Sequence, residues 1–161
     1  MAGPLHLARR FLGSLSPRPL DPADDAWARA HLLPGEQDLW RRMSRADRKH
    51  AAGVARDVDR RLGPGTARPV IAAALLHDVG KVDAGLGTFG RVAATLVGRR
   101  RATGSGRVAR YLRHDAIGAR LLADAGADPL TVAWAREHHR PESDWSVPRL
   151  VGRALRDADD D

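Results

Sequence analysis

The chain has 161 residues, which is enough for one domain with its own hydrophobic core. It contains no cysteine, which excludes disulfide bonds and thiolate ligands, so any metal must be held by histidine, aspartate or glutamate. The net charge of +7 comes mostly from arginine and fits either a compositional bias or attraction to phosphates and anionic lipid.

The N-terminal part, residues 1–38, is predicted to be an arm with one short helix, followed by the main domain at residues 39–161. Residues 1–25 are rich in proline and glycine, which favours a loose arm. A short helix is predicted at residues 26–33, where Pro34 and Gly35 would break it. A further turn is expected at residues 36–43.

The segment 44–62 is predicted to be a helix, because Ser44 suits the N-cap and Gly63 suits the stop. One face of this helix is apolar, and His50 stands at the head of the stripe. The apolar residues of the stripe are Val54, Val58 and Leu62.

The next segment, ARPVIAAALLHDVG, is apolar nearly all round and therefore predicts a buried helix. Pro69 suits its first turn, and Gly80 is expected to cap its end. The helix finishes on His77 and Asp78, with Lys81 close behind, which indicates either a solvated helix end or part of a site.

Helices are also predicted at residues 88–99, 107–125, 129–139 and 147–160, the second of them broken near His114. Asp128 and Pro129 form a typical N-cap and first helical position. No internal repeat occurs. The pattern predicts an all-α fold of about six helices with short loops.

Five of the seven histidines lie on apolar faces or at helix ends, and several aspartates accompany them. These residues are His50, His77, Asp78, His114, His138, His139, Asp157 and Asp159. Buried imidazoles and carboxylates without partners would each cost a few kcal/mol, and a shared divalent cation would satisfy them together. The sequence therefore predicts a metal cluster at the converging ends of several helices.

The order of these residues resembles the HD-domain superfamily of metal-dependent phosphohydrolases over residues 40–161. RKHAAGVARDV resembles the segment of the first histidine, and AAALLHDVGK matches the segment that gives the family its name. The stretch RHDAIGARLLADAGADPLTVAWAREHH resembles two-metal members related to the HD-GYP branch. LRDADD resembles the late-aspartate segment.

The resemblance implies an HD-type helical bundle with two divalent cations, with Mn, Fe, Co, Ni or Mg as candidates. The first cation would be held by His50, His77, Asp78 and a late aspartate, for which Asp159 fits best and Asp157 is the reserve. Asp78 would bridge to a second cation. The ligands of the second cation would be His114, His138 and His139. Lys81 would contact a substrate phosphate as a point charge.

The implied activity is hydrolysis of a phosphoester or phosphoanhydride by a metal-activated water, with Asp78 and Lys81 in the catalytic centre. The chain lacks the Gly-Tyr-Pro motif after the histidine pair and the Glu-Asp pair of the (p)ppGpp hydrolases, so neither of those activities is expected. The alternatives are a non-catalytic nucleotide-binding regulator and a di-iron HD-type oxygenase.

The expected partner is a phosphorylated small molecule, of which a nucleotide is the leading candidate. No sequence-specific nucleic-acid binding is expected, because the chain has no recognisable DNA-binding motif. Residues 88–101 combine an apolar side with terminal arginines, which indicates either weak contact with a membrane surface or a helix that packs in the core. Without a signal peptide or a spanning segment, a cytoplasmic location is expected.

Overall fold

A computed structural model of the chain describes residues 20–84 and 113–160. Within these residues the chain forms seven α-helices and two short 3₁₀ segments, and contains no strand, which confirms the all-α prediction. The helices are α1 (Pro22–Ala30), α2 (Pro34–Arg42), α3 (Arg45–Leu62), α4 (Arg68–Leu76), α5 (His114–Asp124), α6 (Pro129–Glu137) and α7 (Arg149–Asp160). The 3₁₀ segments are Val79–Ala84 and Glu142–Asp144.

Several sequence predictions lie outside the described residues. They are the arm before residue 20, the helix at 88–99, and the segment 88–101, for which membrane contact and core packing were the two alternatives. In the part of the chain that the structure describes, no helix has the length and apolar character needed to cross a bilayer.

The first helix begins earlier than predicted. The side chain of Asp21 accepts a hydrogen bond from the backbone N–H of Ala23 at 2.8 Å, and Pro22 occupies the first helical position. Pro34, predicted as a breaker, likewise opens α2, because a proline at the first position forfeits no helical hydrogen bond. Prolines near the N-terminus of the domain therefore start helices here.

Other local signals behave as predicted. The Ser44 hydroxyl accepts from the backbone N–H of Asp47 at 3.1 Å and starts α3. Gly63 ends α3 with a φ of 83°. Asp128 caps α6 through a 2.9 Å bond from the backbone N–H of Leu130. These signals succeed because each cap is decided within one helical turn.

Gly80 does not cap α4, which corrects the prediction. The helix ends at Leu76, and Gly80 lies in the following 3₁₀ segment without the positive φ of a glycine cap. A Cβ atom at Gly80 would lie 1.9 Å from the carbonyl oxygen of His114 and 2.7 Å from the nitrogen of Gly118. The glycine is thus required by close contact between the 3₁₀ segment and α5.

The helix α4 is the central rod of the bundle. Residues 70–76 are all buried, and α4 packs against α2, α3 and α6. The helix α7 packs on α3, and α5 packs on both α6 and the segment Val79–Ala84. This arrangement brings the C-terminal ends of α4, α6 and α7 close to the start of α5.

The helices α1 and α2 share this core. Ala28, Leu39 and Trp40 are buried in one cluster with residues of α3 to α7. The indole N–H of Trp40 donates to the Asp25 carboxylate at 2.9 Å. The predicted boundary between residues 38 and 39 lies within α2, with Leu39 and Trp40 following it in the shared core.

Candidate metal centre

The predicted site residues lie at the places where helices begin or end around one cleft. His50 is in the second turn of α3, His77 and Asp78 follow α4, and His114 is the first residue of α5. His138 and His139 follow α6, and Asp159 lies in the last turn of α7. The cleft has a volume of about 650 Å³, within the range of small-molecule sites.

Two groups of side chains can each hold a cation. In each group, one potential ligand atom per residue lies within 4.8 Å of all the others. The first group is His50, His77 and Asp78, and the second is Asp78, His114, His138 and His139. All six residues were proposed from the sequence. The structure brings them together, while their roles as ligands stay predictions.

Asp78 belongs to both groups and divides its two oxygens between them. Its Oδ1 lies 3.2 Å from Nε2 of His114 and 3.8 Å from Nε2 of His138. Its Oδ2 lies 3.5 Å from Nε2 of His77 and also pairs with the ammonium of Lys81. Each oxygen of the carboxylate therefore faces a different donor group.

The rings of His77 and His138 are oriented by backbone carbonyls. Nδ1 of His77 donates to the carbonyl oxygen of Ala74 at 2.9 Å, and Nδ1 of His138 donates to that of Ala135 at 3.0 Å. Nε2 of each ring is buried and has no hydrogen-bond partner. Such nitrogens fit a metal, because the backbone carbonyl that accepts from Nδ1 fixes the ring and leaves Nε2 as the ligand atom.

Charges around the site shift three protonation equilibria. Burial lowers the pKa of His77, but the carboxylates of Asp78 and Asp159 outweigh it and raise this pKa to about 9. Burial and the neighbouring His139 and His77 hold the pKa of His138 well below its ordinary value. Burial raises the pKa of Asp78, yet Lys81 and His77 outweigh that effect and keep it well below the usual range. Asp78 is therefore an anion.

The remaining donors form close pairs. Nε2 of His50 lies 2.9 Å from Oδ1 of Asp159, and that same oxygen is 3.6 Å from Nε2 of His77. Nε2 of His114 lies 3.1 Å from Nε2 of His139. The late aspartate in contact with the first group is thus Asp159, whereas Asp157, the reserve candidate, is exposed on α7.

Lys81 lines the cleft, with 18% of its side chain exposed. The family resemblance implies that Lys81 contacts a substrate phosphate, which stays a prediction. Its ammonium pairs with Asp78, so it shares the carboxylate with the histidines while also facing the cleft.

Residues outside the predicted set of site residues shape the loop after α6. The buried carboxylate of Glu137 accepts from the backbone N–H and the hydroxyl of Ser146, both at 2.7 Å. The indole N–H of Trp145 donates to the carbonyl of Glu137 at 3.2 Å. The ring of Trp145 meets Trp134 edge to face at 5.2 Å. Trp145 thus packs beside the histidine pair.

Comparison with known proteins gives one match. The model of the HD domain family matches residues 49–160, which is more than half of the chain and includes every predicted site residue. No curated protein and no solved structure matches the chain.

Proposed function

This chain belongs to the HD-domain family, and from that premise we propose that it is a metal-dependent hydrolase of a nucleotide or a related phosphoester or phosphoanhydride. The observation that carries the proposal is the pair of buried, unbonded Nε2 atoms of His77 and His138, on either side of a carboxylate that serves both donor groups. Buried polar atoms without partners are costly, so this arrangement is best explained by cations.

The donors are imidazole and carboxylate, which suit Mn, Fe, Co, Ni or, with more carboxylate and water ligands, Mg. We propose two cations, one in each group, joined by Asp78. Bound there, they would supply an activated water and charge stabilisation for phosphoryl oxygens.

The protein itself supplies positioning and charge. Backbone carbonyls hold the rings of His77 and His138, so the donor atoms are oriented before a substrate arrives. Lys81 offers an ammonium beside Asp78 on the wall of the cleft, where it would attract a phosphoryl group. Burial of Asp78 and His138 keeps water from competing with these interactions.

The test is a metal analysis coupled to a phosphohydrolase assay. Protein loaded with Mn²⁺ is expected to contain about two metal ions per chain and to cleave bis(p-nitrophenyl) phosphate or members of a nucleotide panel. His77→Ala is expected to lose activity and metal together. His31→Ala is the control, since His31 packs on Trp27 away from the site.

Three results would contradict this assignment. Wild-type protein that binds no divalent metal would refute the centre itself. Metal binding without turnover would assign a regulatory domain. Substrate-dependent O₂ consumption without phosphate release would assign the di-iron oxygenase.

A further inference from the structure

We propose that the cleft has a second anion subsite, formed by Arg140 and Arg156, which holds a phosphoryl group beyond the one that is hydrolysed. The substrate would then be a phosphoanhydride or bisphosphate compound, such as a nucleoside diphosphate, in preference to a lone phosphomonoester. This inference rests on the proposed function and extends it by naming the substrate class.

Arg156 is fixed next to the metal centre. Its Nη2 donates to the carbonyl oxygen of His138 at 3.5 Å and to that of Arg140. Its guanidinium also lies over the ring of Trp145, 4.2 Å from the ring centroid. In the described part of the chain, Nε and Nη1 donate to no residue. A guanidinium held this way presents its remaining N–H groups without losing side-chain entropy on binding.

The indole ring of Trp145, on which Arg156 lies, is itself held in place by neighbouring groups. The indole N–H of Trp145 is bonded to the carbonyl of Glu137. Gly152 on α7 leaves room for the ring, because a Cβ there would lie 2.6 Å from Cε3 of Trp145. The fixed indole in turn fixes the position of the guanidinium.

Arg140 contributes a cation with no partner among the described residues. Its side chain is exposed, lines the same cleft, and makes no hydrogen bond or ion pair there. Because Arg140 directly follows His139, its side chain starts one residue from a donor of the second group. An unpaired arginine beside a cation centre is suited to an incoming anion.

Two of the three lysine and arginine side chains that line the cleft form no ion pair with a described residue. Three acids line it, of which Asp78 and Asp159 contact the donor histidines and Asp160 is exposed. Lys81 is paired with Asp78. Arg140 and Arg156 therefore remain as cations of the cleft that no described carboxylate within ion-pair distance neutralises.

The pKa of the Glu142 carboxyl is lowered chiefly by its hydrogen bonds with Arg153, and to a smaller extent by the charge of Arg156. Both of its oxygens accept from Arg153, at 2.7 to 3.1 Å. This pairing draws the carboxylate to the exposed side of α7. Neither of the two cleft arginines forms an ion pair with Glu142, whose partner is Arg153.

The experiment compares the binding of adenosine 5′-diphosphate with that of adenosine 5′-monophosphate to full-length protein loaded with Mn²⁺, by isothermal titration. Wild-type protein is expected to bind the diphosphate about tenfold more tightly, as one or two charge-assisted contacts would give. The double variant Arg140→Gln/Arg156→Gln is expected to bind the two nucleotides equally, with monophosphate affinity unchanged within about twofold. Since both ligands meet each protein in the same buffer, metal chelation by the nucleotides affects all proteins alike.

Arg120→Gln is the matched control for loss of charge, because 85% of the Arg120 side chain is exposed on α5. It is expected to keep the wild-type preference. If the double variant does not fold because Arg156 is lost, the single variant Arg140→Gln still tests the subsite. The Arg140 side chain makes no hydrogen bond or ion pair among the described residues, so its replacement is expected to leave folding intact and to reduce the preference in part.

An unchanged preference in the double variant would overturn the subsite, as would an equal loss of affinity for both nucleotides. Cleavage of bis(p-nitrophenyl) phosphate, measured on the same samples, reports separately on the proposed hydrolase. The two proposals can therefore fail separately. If the wild-type protein cleaves no substrate but prefers the diphosphate, and the double variant lacks that preference, the subsite is supported and the hydrolase is refuted.

Discussion

Oδ1 of Asp78 lies 3.2 Å from Nε2 of His114, and Oδ2 of the same carboxylate lies 3.5 Å from Nε2 of His77. His114 comes 36 positions later in the sequence, at the start of another helix. One carboxylate therefore connects donors from the end of α4 with donors from α5 and from the turn after α6.

The shared carboxylate predicts unequal effects on metal content. Asp78→Asn is expected to lose both metal ions, because both donor groups depend on it. His114→Ala is expected to lose one and retain the other. Inductively coupled plasma mass spectrometry on protein dialysed against Mn²⁺ measures the difference. Two ions retained by Asp78→Asn would rule out the bridging role.

The two late aspartates are predicted to differ. Asp159→Asn is expected to weaken binding at the first group, on the order of tenfold or more, because its Oδ1 contacts His50 and His77. Asp157→Asn is the matched control, since its side chain is exposed two residues earlier on the same helix. Metal titration with a fluorescent competitor compares them. Equal affinities in the two variants would remove Asp159 from the ligand set.

Gly80 and Gly53 provide a paired test of packing. Gly80→Ala is expected to destabilise the protein by about 1–3 kcal/mol and to displace His114, because the new Cβ would overlap its carbonyl oxygen. Gly53→Ala is expected to stabilise it by about 0.5–1 kcal/mol, because nothing lies within 4 Å of that Cβ in the middle of α3. Urea unfolding and metal content measure both effects. A stable Gly80→Ala variant with full metal content would contradict the close contact.

Metal binding is predicted to release a proton from His77. Its pKa of about 9 in the metal-free protein means that the ring is charged at pH 7.5, and this charge contributes stability that is lost as pH rises through 9. Metal must displace that proton, so affinity is expected to rise about tenfold per pH unit between pH 7 and 8.5. Isothermal titration in two buffers of different ionisation enthalpy counts the protons. Identical apparent enthalpies in both buffers would show that none is released.

Glu137 is predicted to stabilise the loop that follows the histidine pair. Glu137→Ala is expected to cost about 1.5–3 kcal/mol, because it removes two bonds to a buried carboxylate. Glu142→Ala, which breaks an exposed ion pair with Arg153, is expected to leave the melting temperature unchanged. Thermal unfolding of the two variants gives the comparison. A melting temperature of Glu137→Ala equal to wild type would mean that the loop is held by other contacts.

Short-range signals in the sequence predicted much of this structure. Ser44, Gly63 and Asp128 act within one turn of the chain, so their types were enough to place helix ends. The histidines and aspartates that converge were also recognisable, because imidazoles on apolar helix faces need a partner. Their chemistry predicted proximity although the chain separates them.

The features that sequence reasoning missed depend on contacts between distant elements. Gly80 looked like a helix cap, but its lack of a side chain is required by α5, which the local pattern does not contain. The same holds for Arg156, which acquires its position from Trp145 and from carbonyls near His138. The helix α1 is a different case, since Asp21 and Pro22 form a local start signal that is readable in the sequence.

The divided carboxylate of Asp78 has a thermodynamic consequence. A cation in either donor group would immobilise the side chain for the other group, so the entropic cost of ordering it is met only once. The same cation would repel its neighbour across the shared anion. If both positions bind a cation, their occupancies would therefore be coupled, and the sign of the coupling would depend on the balance of these two effects.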